Sequence, residues 1–318
     1  MSERIVFMGT PPFAVASLDA LVQAGIEVAA VVTAPDRPAG RGLQMKAPAV
    51  KERALALGIP VLQPEKLRDP AFLDALDATG ATLYVVVAFR MLPEVVWARP
   101  RHGTINLHAS LLPDYRGAAP INWAVINGER TTGVTTFFIR QQIDTGDIIA
   151  REAIQVGADE TAGELHDRMM HIGGDLLVRT VQDILAGRAQ RIPQEDLIID
   201  GVHEAPKLNP TNCRIDPAWP VRRVHDLVRG LSPVPGAWCM LHIDERPPVH
   251  FKVLRTRLVE DAADPEAPGT VVVRDGRLLM RCGDGWVEAL EVQPEGKRRL
   301  PAQELLRGLR FERTLRIA

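Results

Sequence analysis

The sequence lacks the features that mark membrane and secreted proteins. No apolar run in its 318 residues approaches the roughly 20 residues that a membrane span requires. The three cysteines, Cys213, Cys239 and Cys282, are widely spaced and form no Cys-x-x-Cys pair, which predicts buried, unreactive thiols in a reducing compartment. The first predicted strand begins near Arg4, which leaves no room for a signal or transit peptide. These absences together predict a cytoplasmic protein.

Two further absences concern cofactors. Gly9-Thr10-Pro11-Pro12 follows the first predicted strand, where a dinucleotide-binding fold would carry Gly-x-Gly-x-x-Gly, so we exclude a nicotinamide or flavin cofactor. The 8 histidines include no cluster at metal-ligand spacing. His166 and His171 lie five positions apart, a poor spacing for one helix face. No metal is therefore expected.

Charge is unevenly distributed along the chain. The formal net charge is -2, but from Lys207 to the end 19 Lys and Arg face 15 Asp and Glu, which makes the last third basic and the rest acidic. A basic domain attracts polyanions through the release of counterions. It can equally be an ordinary arginine-rich surface. Composition alone leaves both interpretations open.

Short strands alternate with helices in the first part of the chain. Runs rich in Val, Ile and Ala neighbour helical patterns, and the capping-box spacing of Thr161 and Glu164 opens a long helix. The predicted strands cover residues 5–8, 27–33, 81–88 and 104–107, and the predicted helices cover residues 13–23, 49–57, 69–78 and 161–185. This alternation predicts an α/β fold with a mostly parallel, Rossmann-like sheet, whose ligands lie at the carboxyl ends of the strands.

The length of the chain predicts two domains, because 318 residues exceed one ordinary hydrophobic core. We assign residues 1–190 to the first domain and residues 211–318 to the second. Residues 191–210 lose long periodicity and include three prolines, which predicts a linker. In the second domain a helical pattern at 221–231 precedes several short strands broken by Gly and Pro, and this predicts a small β-barrel.

Asn106, His108 and Asp144 are the residues best suited to catalysis. Asn106 and His108 alternate at the end of a predicted strand, so a period of two places both side chains on one face. Asp144 lies in an Asp-Thr-Gly turn after the next strand, where it could hydrogen-bond the imidazole or accept a proton directly or through water. An amide donor beside an imidazole suits oxyanion stabilisation and proton transfer, so the trio predicts acyl-type chemistry without a nucleophile. The division of proton-transfer roles between His108 and Asp144 stays open.

The same residues carry a resemblance to a known family. Asn-x-His-x-Ser-Leu-Leu-Pro at 106–113, followed by the Asp-x-Gly turn at 144–146, resembles the signature of the folate-dependent formyltransferases. The similarity extends over essentially the whole chain. It implies that the protein moves a formyl group from 10-formyltetrahydrofolate to an amine, with Asn106, His108 and Asp144 as catalytic residues. It also implies that the carboxyl-terminal barrel is OB-like.

The resemblance further implies a folate site. Pro113 would fix the backbone of its loop while the two preceding leucines cover a flat apolar ring. Backbone groups in the loop after the strand at 81–88, and in residues 141–144, would contact the polar edge of the pterin. The residues expected to bind folate are Ser110, Leu111, Leu112, Pro113, Phe89, Met91 and Leu92.

The residues at 35–42 and 116–120 most resemble formyltransferases that act on methionine carried by initiator tRNA. The loop from 34 to 48 is long and without predicted structure, which is typical of a lid or a binding loop. The resemblance implies that this loop enters the acceptor end of the tRNA, where Arg41, Arg37 and Lys46 make contacts. The expected partners are therefore initiator methionyl-tRNA and folate, and the expected state is a monomer.

Three alternatives compete with this interpretation. The same trio could formylate an amino sugar nucleotide, or could hydrolyse 10-formyltetrahydrofolate with water as the acceptor. A non-catalytic RNA-binding protein would instead use only the barrel and the basic carboxyl-terminal region. The intact trio disfavours the last alternative, and the Pro-Asp-Arg-Pro-Ala-Gly-Arg-Gly loop favours tRNA over a sugar nucleotide.

Overall fold

The computed structural model describes residues 3–39, 44–198, 201–244, 246–259, 266–307 and 315–318. The chain divides into two units that interleave along the sequence. The first comprises Met1–Gly117, Thr132–Ile154 and His166–Glu204, and the second comprises Ala118–Thr131, Gln155–Leu165 and Ala205–Ala318. The boundaries placed at residues 190 and 210 from the sequence stay predictions.

Helices and strands alternate through the first part of the chain, and strands dominate the last third. The helices are α1 (Pro12–Gln23), α2 (Ala49–Ala56), α3 (Pro70–Ala78), α4 (Glu94–Trp97), α5 (Pro120–Ile126), α6 (Ala162–Leu185), α7 (Val221–Leu231) and α8 (Ala302–Arg307). The strands are β1 (Ile5–Gly9), β2 (Val28–Val32), β3 (Arg37–Ala39), β4 (Gln44–Lys46), β5 (Val61–Leu62), β6 (Leu83–Val87), β7 (Thr104–His108), β8 (Arg116–Gly117), β9 (Thr131–Phe138), β10 (Ile148–Gln155), β11 (Glu204–Ala205), β12 (Ala237–Ile243), β13 (Val249–Val259), β14 (Thr270–Arg274), β15 (Arg277–Arg281), β16 (Trp286–Pro294), β17 (Leu300–Pro301) and β18 (Leu315–Ile317).

A seven-stranded sheet with the order β10-β9-β7-β6-β1-β2-β5 forms the centre of the first unit. Strand β1 pairs in parallel with β2 and β6, β6 pairs in parallel with β7, and β2 pairs in parallel with β5, whereas β9 runs antiparallel to β7. All five residues of β1 and all five of β6 are buried, as expected for inner strands covered on both faces. The predicted α/β fold with a mostly parallel sheet is confirmed.

The carboxyl ends of the parallel strands place several predicted site segments at one edge of this sheet. The loop after β6 contains Phe89 and Met91, and β7 ends at His108. The hairpin of β3 and β4 follows β2. Ligands of open α/β sheets bind at such an edge, because the loops that follow parallel strands converge there.

The capping box predicted at the start of α6 is present. The Thr161 hydroxyl accepts a hydrogen bond from the Glu164 backbone amide at 3.2 Å, and the Glu164 carboxylate accepts one from the Thr161 backbone amide at 2.9 Å. Each side chain therefore satisfies an amide that has no partner within the first helical turn.

The second unit contains a closed barrel. Strands β13, β12, β18, β14, β15 and β16 are neighbours in that order, and antiparallel pairing of β13 with β16 closes the ring. Its interior is apolar and includes Phe251, Val287 and Val292, each 1% exposed or less. Helix α7 packs on this core through Val224, Leu227 and related residues. The predicted carboxyl-terminal barrel is thus confirmed.

Two segments differ from the sequence-based expectation. The loop at 34–48, predicted to lack structure, contains an antiparallel hairpin in which Arg37 faces Lys46 and Ala39 faces Gln44. The prolines and glycines of this segment led to the prediction of a loop, because both residue types are rare inside strands. The predicted linker contains a 3₁₀ turn at Gln194–Leu197, and Gln194 is only 1% exposed.

The three thiols are free and buried, so we expect them to be unreactive in the native protein. Burial raises the pKa of Cys239 and of Cys282 to about 12, and burial also raises the pKa of Cys213. A thiol-specific reagent at pH 8 should therefore label none of them until the protein is unfolded, when it should label all three. Rapid labelling of any thiol in the folded protein would contradict this burial.

Among the helices that the structure describes, none combines the length and the apolar character needed to cross a membrane.

Candidate active site

Strand β7 carries Asn106 and His108 on one face. Its residues are buried except Asn106, which is partly exposed, and His108 is 6% exposed. Neighbouring strands β6 and β9 hydrogen-bond to β7 on both sides, so the backbone that carries the two side chains is rigid. The side-chain amide of Asn106 makes no hydrogen bond to any residue that the structure describes. It is therefore able to donate to a ligand.

Two groups flank the imidazole of His108. Its Nε2 lies 2.8 Å from the carbonyl oxygen of Tyr115, and its Nδ1 lies 3.8 Å from Oδ2 of Asp144. A carbonyl oxygen only accepts hydrogen bonds, so Nε2 carries a proton. In the neutral imidazole, Nδ1 is then the unprotonated nitrogen and faces the carboxylate. Two hydrogen-bond acceptors therefore face each other across this gap.

The sequence left open whether Asp144 hydrogen-bonds the imidazole or accepts a proton directly or through water, and the structure shows no hydrogen bond between the two side chains. The gap of 3.8 Å exceeds hydrogen-bond distance, and the Tyr115 carbonyl fixes the tautomer instead. Oδ2 of Asp144 accepts a hydrogen bond from the Gly117 backbone amide at 3.0 Å. The carboxylate is thus oriented by backbone, and its side chain is only 13% exposed.

Hydrogen bonds within the protein hold the loop at Ser110–Pro113 in place. The Ser110 hydroxyl donates to the Asp114 carbonyl at 2.6 Å, and Thr135 links the Ser110 carbonyl to the Leu112 amide. Ser110 and Leu112 are fully buried, Pro113 is buried and Leu111 is partly exposed. Of the four residues predicted to bind folate here, Leu111 has the most accessible surface.

Two exposed apolar side chains lie in loops predicted to bind folate. Met91 is 73% exposed in the loop after β6, and Ile143 is 57% exposed beside Asp144. Phe89 and Leu92 instead pack into the core cluster beneath that loop, and Leu92 is only 8% exposed. In these loops Met91 and Ile143 are therefore the apolar side chains with the most surface available to a ligand.

The hairpin of β3 and β4 is anchored at its base. Asp36 accepts hydrogen bonds from Gln63 at 2.8 Å and from Lys51 at 2.7 Å, and these bonds hold the pKa of Asp36 below its usual range. Arg37 and Lys46 face each other across the two strands, and Lys46 is exposed. Arg41, the third predicted tRNA contact, lies outside the described residues.

A second cation lies near the hairpin. Arg90 donates hydrogen bonds to the carbonyls of Pro64 and Glu65, and its burial, together with the charge of Arg37, lowers its pKa. Arg37 follows β2 and Arg90 follows β6, so both add positive charge at this edge of the sheet.

Sequence reasoning missed Gln194, which contacts the Asp144 turn, and the role of Arg116, which holds Gln194. Gln194 donates to the Asp144 carbonyl at 2.9 Å and to the Gly146 carbonyl at 2.8 Å, and Arg116 donates to Gln194. Gln194 lies 50 positions after Asp144, in a stretch broken by prolines, and no local pattern connects the two. Within the described part of the chain, no group of three or more His, Cys, Asp or Glu side chains could hold a metal.

Comparison with known proteins now places this geometry in a family. Residues 3–181 match the family model described as formyl transferase, and residues 207–310 match the model of the formyl transferase carboxyl-terminal domain. The chain belongs to the formyl transferase family. The family expected from the Asn-x-His and Asp-x-Gly residues is thus confirmed.

Relatives within this family match nearly the full length of the chain. The methionyl-tRNA formyltransferase of Bacteroides fragilis is 50% identical over 308 residues, covering 96% of this chain and 94% of that protein. The methionyl-tRNA formyltransferase of Flavobacterium johnsoniae is 47% identical over 308 residues, covering 97% and 96%.

Solved structures share the fold. The sugar 3N-formyl transferase WlaRD, solved with dTDP and 5-N-formyl-THF, superposes with a TM-score of 0.65 at 17% identity and covers 94% of this chain and 100% of that one. HypX from Aquifex aeolicus, in complex with tetrahydrofolic acid, gives a TM-score of 0.64 at 17% identity and covers 95% of this chain and 46% of that one. At this identity the likeness extends to the fold alone.

Proposed function

We propose that the protein transfers the formyl group of 10-formyltetrahydrofolate to the α-amino group of methionine on initiator tRNA. The product, N-formylmethionyl-tRNA, would serve translation initiation. The observation that carries the proposal is the rigid strand β7, which holds the Asn106 amide and the His108 imidazole on one face with Asp144 beside the imidazole. Identity of 50% to a methionyl-tRNA formyltransferase over almost the whole chain supports the acceptor.

Asn106 supplies the electrostatic part of the mechanism. When the amine attacks the formyl carbon, negative charge develops on the formyl oxygen. A preorganised amide donor stabilises that charge by roughly 3 kcal/mol in the transition state. Because strand pairing fixes the backbone on both sides of Asn106, its amide needs little reorganisation as the charge develops.

His108 and Asp144 supply the proton transfer. The attacking amine must lose a proton as its bond to the formyl carbon forms, and the departing folate nitrogen must gain one as its bond breaks. Nδ1 of His108 and Oδ2 of Asp144 lie 3.8 Å apart. Either atom can accept the proton, and the backbone that carries them need not move. The proton on Nε2 stays in its hydrogen bond to Tyr115 and takes no part. The pair can therefore receive the amine's proton and return it to the leaving nitrogen.

The folate site is assigned to the surface beside the trio. Leu111, Met91 and Ile143 offer apolar surface for a flat ring. Backbone groups of residues 89–92 and 141–144 offer donors and acceptors for the pterin edge. The buried residues Ser110, Leu112 and Pro113 would shape this site from beneath, because they have little surface to offer a ligand directly.

The tRNA site is assigned to the β3–β4 hairpin and to the basic carboxyl-terminal unit. Arg37, Lys46 and Arg41 would contact the phosphates or bases of the acceptor end. The anchoring of Asp36 by Gln63 and Lys51 supports a fixed position for the base of the hairpin. We place the enzyme in the cytoplasm, where initiator tRNA is charged and used, and we expect it to act as a monomer.

Comparison of acceptors tests the function and separates it from its alternatives. Purified protein should transfer formyl from 10-formyltetrahydrofolate to methionyl-initiator tRNA far faster than to free methionine, to an amino sugar nucleotide or to water. Preference for the sugar nucleotide would make the protein a sugar formyltransferase, and formate release without transfer would make it a hydrolase. Tight tRNA binding with no turnover would leave only an RNA-binding role.

Arg41→Ala should impair the use of tRNA and spare the use of folate. The guanidinium group can form two hydrogen bonds to a phosphate, so its loss should raise KM for methionyl-tRNA by about 10-fold and lower kcat through poorer positioning of the amine. Kinetics with tRNA and folate varied separately measure both effects. Arg188→Ala is the matched control. Arg188 lies after the end of α6, is exposed and pairs with Asp183. A defect in folate use alone would refute the assignment of this loop.

A further inference from the structure

The side chain of Gln194 makes more hydrogen bonds than a residue in a simple linker would make. Its Nε2 donates to the carbonyls of Asp144 and Gly146, and its Oε1 accepts from Nε of Arg116 at 3.0 Å and from Nη2 of Arg116 at 2.7 Å. A side-chain amide has two donors and two acceptor sites, and all four are used. Carbonyls only accept hydrogen bonds and a guanidinium only donates them, so these partners also identify which end of the Gln194 amide is the nitrogen.

The turn that Gln194 holds has an unusual backbone. Asp144 adopts φ 53°, in the left-handed region that side-chain-bearing residues rarely use. At Gly146 the chain approaches Phe138 so closely that an added Cβ would lie 1.6 Å from its carbonyl oxygen. Such a turn needs partners that hold it in place. Gln194 supplies them, because it bonds the carbonyls of both residues at once.

The segment that holds Gln194 also contacts Asp144 directly. Arg116 holds Gln194, and the next residue, Gly117, donates its backbone amide to Oδ2 of Asp144 at 3.0 Å. The backbone of the Asp144 turn and its carboxylate are therefore both tied to the Arg116–Gly117 strand, one through Gln194 and the other directly. Gln194 is 1% exposed, so water does not compete for these bonds.

We propose that Gln194, supported by Arg116, is a positioning residue that sets the place of the Asp144 carboxylate beside His108. This proposal rests on the proposed formyl transfer, in which the two groups share a proton. Gln194 itself touches neither substrate. It holds the turn so that Oδ2 of Asp144 stays 3.8 Å from Nδ1 of His108, a spacing on which proton transfer depends. Displacement of a catalytic group by about 1 Å can cost 100-fold in rate.

Gln194→Met tests the proposal, because methionine keeps the length of the side chain and loses its hydrogen bonds. We expect kcat for formyl transfer to fall by about 100-fold while KM for folate and for methionyl-tRNA stays within 3-fold. Gln190→Met, in an exposed glutamine of the same segment, is the matched control and should keep wild-type kinetics.

A double-variant cycle separates positioning from a purely structural role. If Gln194 acts through Asp144, adding Gln194→Met to Asp144→Asn should lower kcat by less than about 3-fold. An equal loss in both backgrounds, or no loss in the single variant, would overturn the proposal. The wild type and Asp144→Asn in the same series report on formyl transfer itself, so failure of the proposed function would be seen separately.

Arg116→Lys covers the case in which Gln194→Met does not fold. Lysine keeps the charge but cannot make both hydrogen bonds to Oε1 of Gln194. We expect kcat to fall by about 10-fold, again with little further loss in the Asp144→Asn background. Wild-type kcat in folded Arg116→Lys would contradict the proposal.

Discussion

Asn106→Ala is expected to lower kcat for formyl transfer by about 100- to 1,000-fold while KM for 10-formyltetrahydrofolate changes little. The amide stabilises the reaction most strongly when charge develops on the formyl oxygen in the transition state. Its loss therefore lowers kcat and leaves substrate binding in the ground state little changed. The substitution lies at a partly exposed position on a strand paired on both sides, and the fold should survive it. Steady-state kinetics with each substrate varied, together with circular dichroism, measure the effect.

Two further variants sharpen this test of Asn106. Asn106→Asp keeps the shape of the side chain but replaces the donor with an anion, so it should be at least as slow as Asn106→Ala. Asn127→Ala, at the exposed end of α5, is the matched control and should remain within about 2-fold of the wild type. If Asn106→Ala stays within 10-fold of the wild type, the amide is not the principal donor to the formyl oxygen.

Strand β7 could be predicted from sequence because its signals are local. Thr104 and Ile105 favour a strand, and a period of two along that strand places Asn106 and His108 on one face. The family residues at 144–146 likewise located the Asp144 turn. The contacts of these side chains could not be predicted in the same way.

The partners of His108 and Asp144 are backbone groups or distant residues. The Tyr115 carbonyl and the Gly117 amide have no side-chain identity, so the sequence carries no sign of their roles. Gln194 approaches Asp144 only because the chain returns to the site 50 positions later. The sequence therefore left the role of Asp144 open, whereas the structure shows that the Tyr115 carbonyl contacts Nε2 of His108 and that Asp144 faces Nδ1 without a hydrogen bond.

The β3–β4 hairpin shows a different limit of sequence reasoning. Pro38 lies within β3, where its ring removes a backbone donor, and this makes the segment look like a loop. The pairing of Arg37 with Lys46 across the hairpin uses residues with low strand propensity. The composition did reveal that this segment is cationic.

Asp144→Asn is expected to lower kcat by about 100- to 10,000-fold, the range over which a general acid or base contributes. The amide keeps the size of the side chain and can still accept from the Gly117 amide, so the turn should stay in place. It cannot take up a proton from the amine. Asp167→Asn makes the same chemical change in the exposed pair of His166 and Asp167 on α6, and it should keep wild-type kinetics.

The combination of Asp144→Asn with His108→Ala decides whether the two groups act as one unit. Nδ1 of His108 and Oδ2 of Asp144 face each other at 3.8 Å. In the proposed mechanism the two groups together receive the amine's proton, so removing either group already disables the transfer. The double variant should therefore be little slower than the slower single variant, and far faster than the product of the two losses would predict. Fully multiplicative losses would mean that imidazole and carboxylate act independently. Asp144 would then serve as an electrostatic group, and the amine's proton would leave by another path.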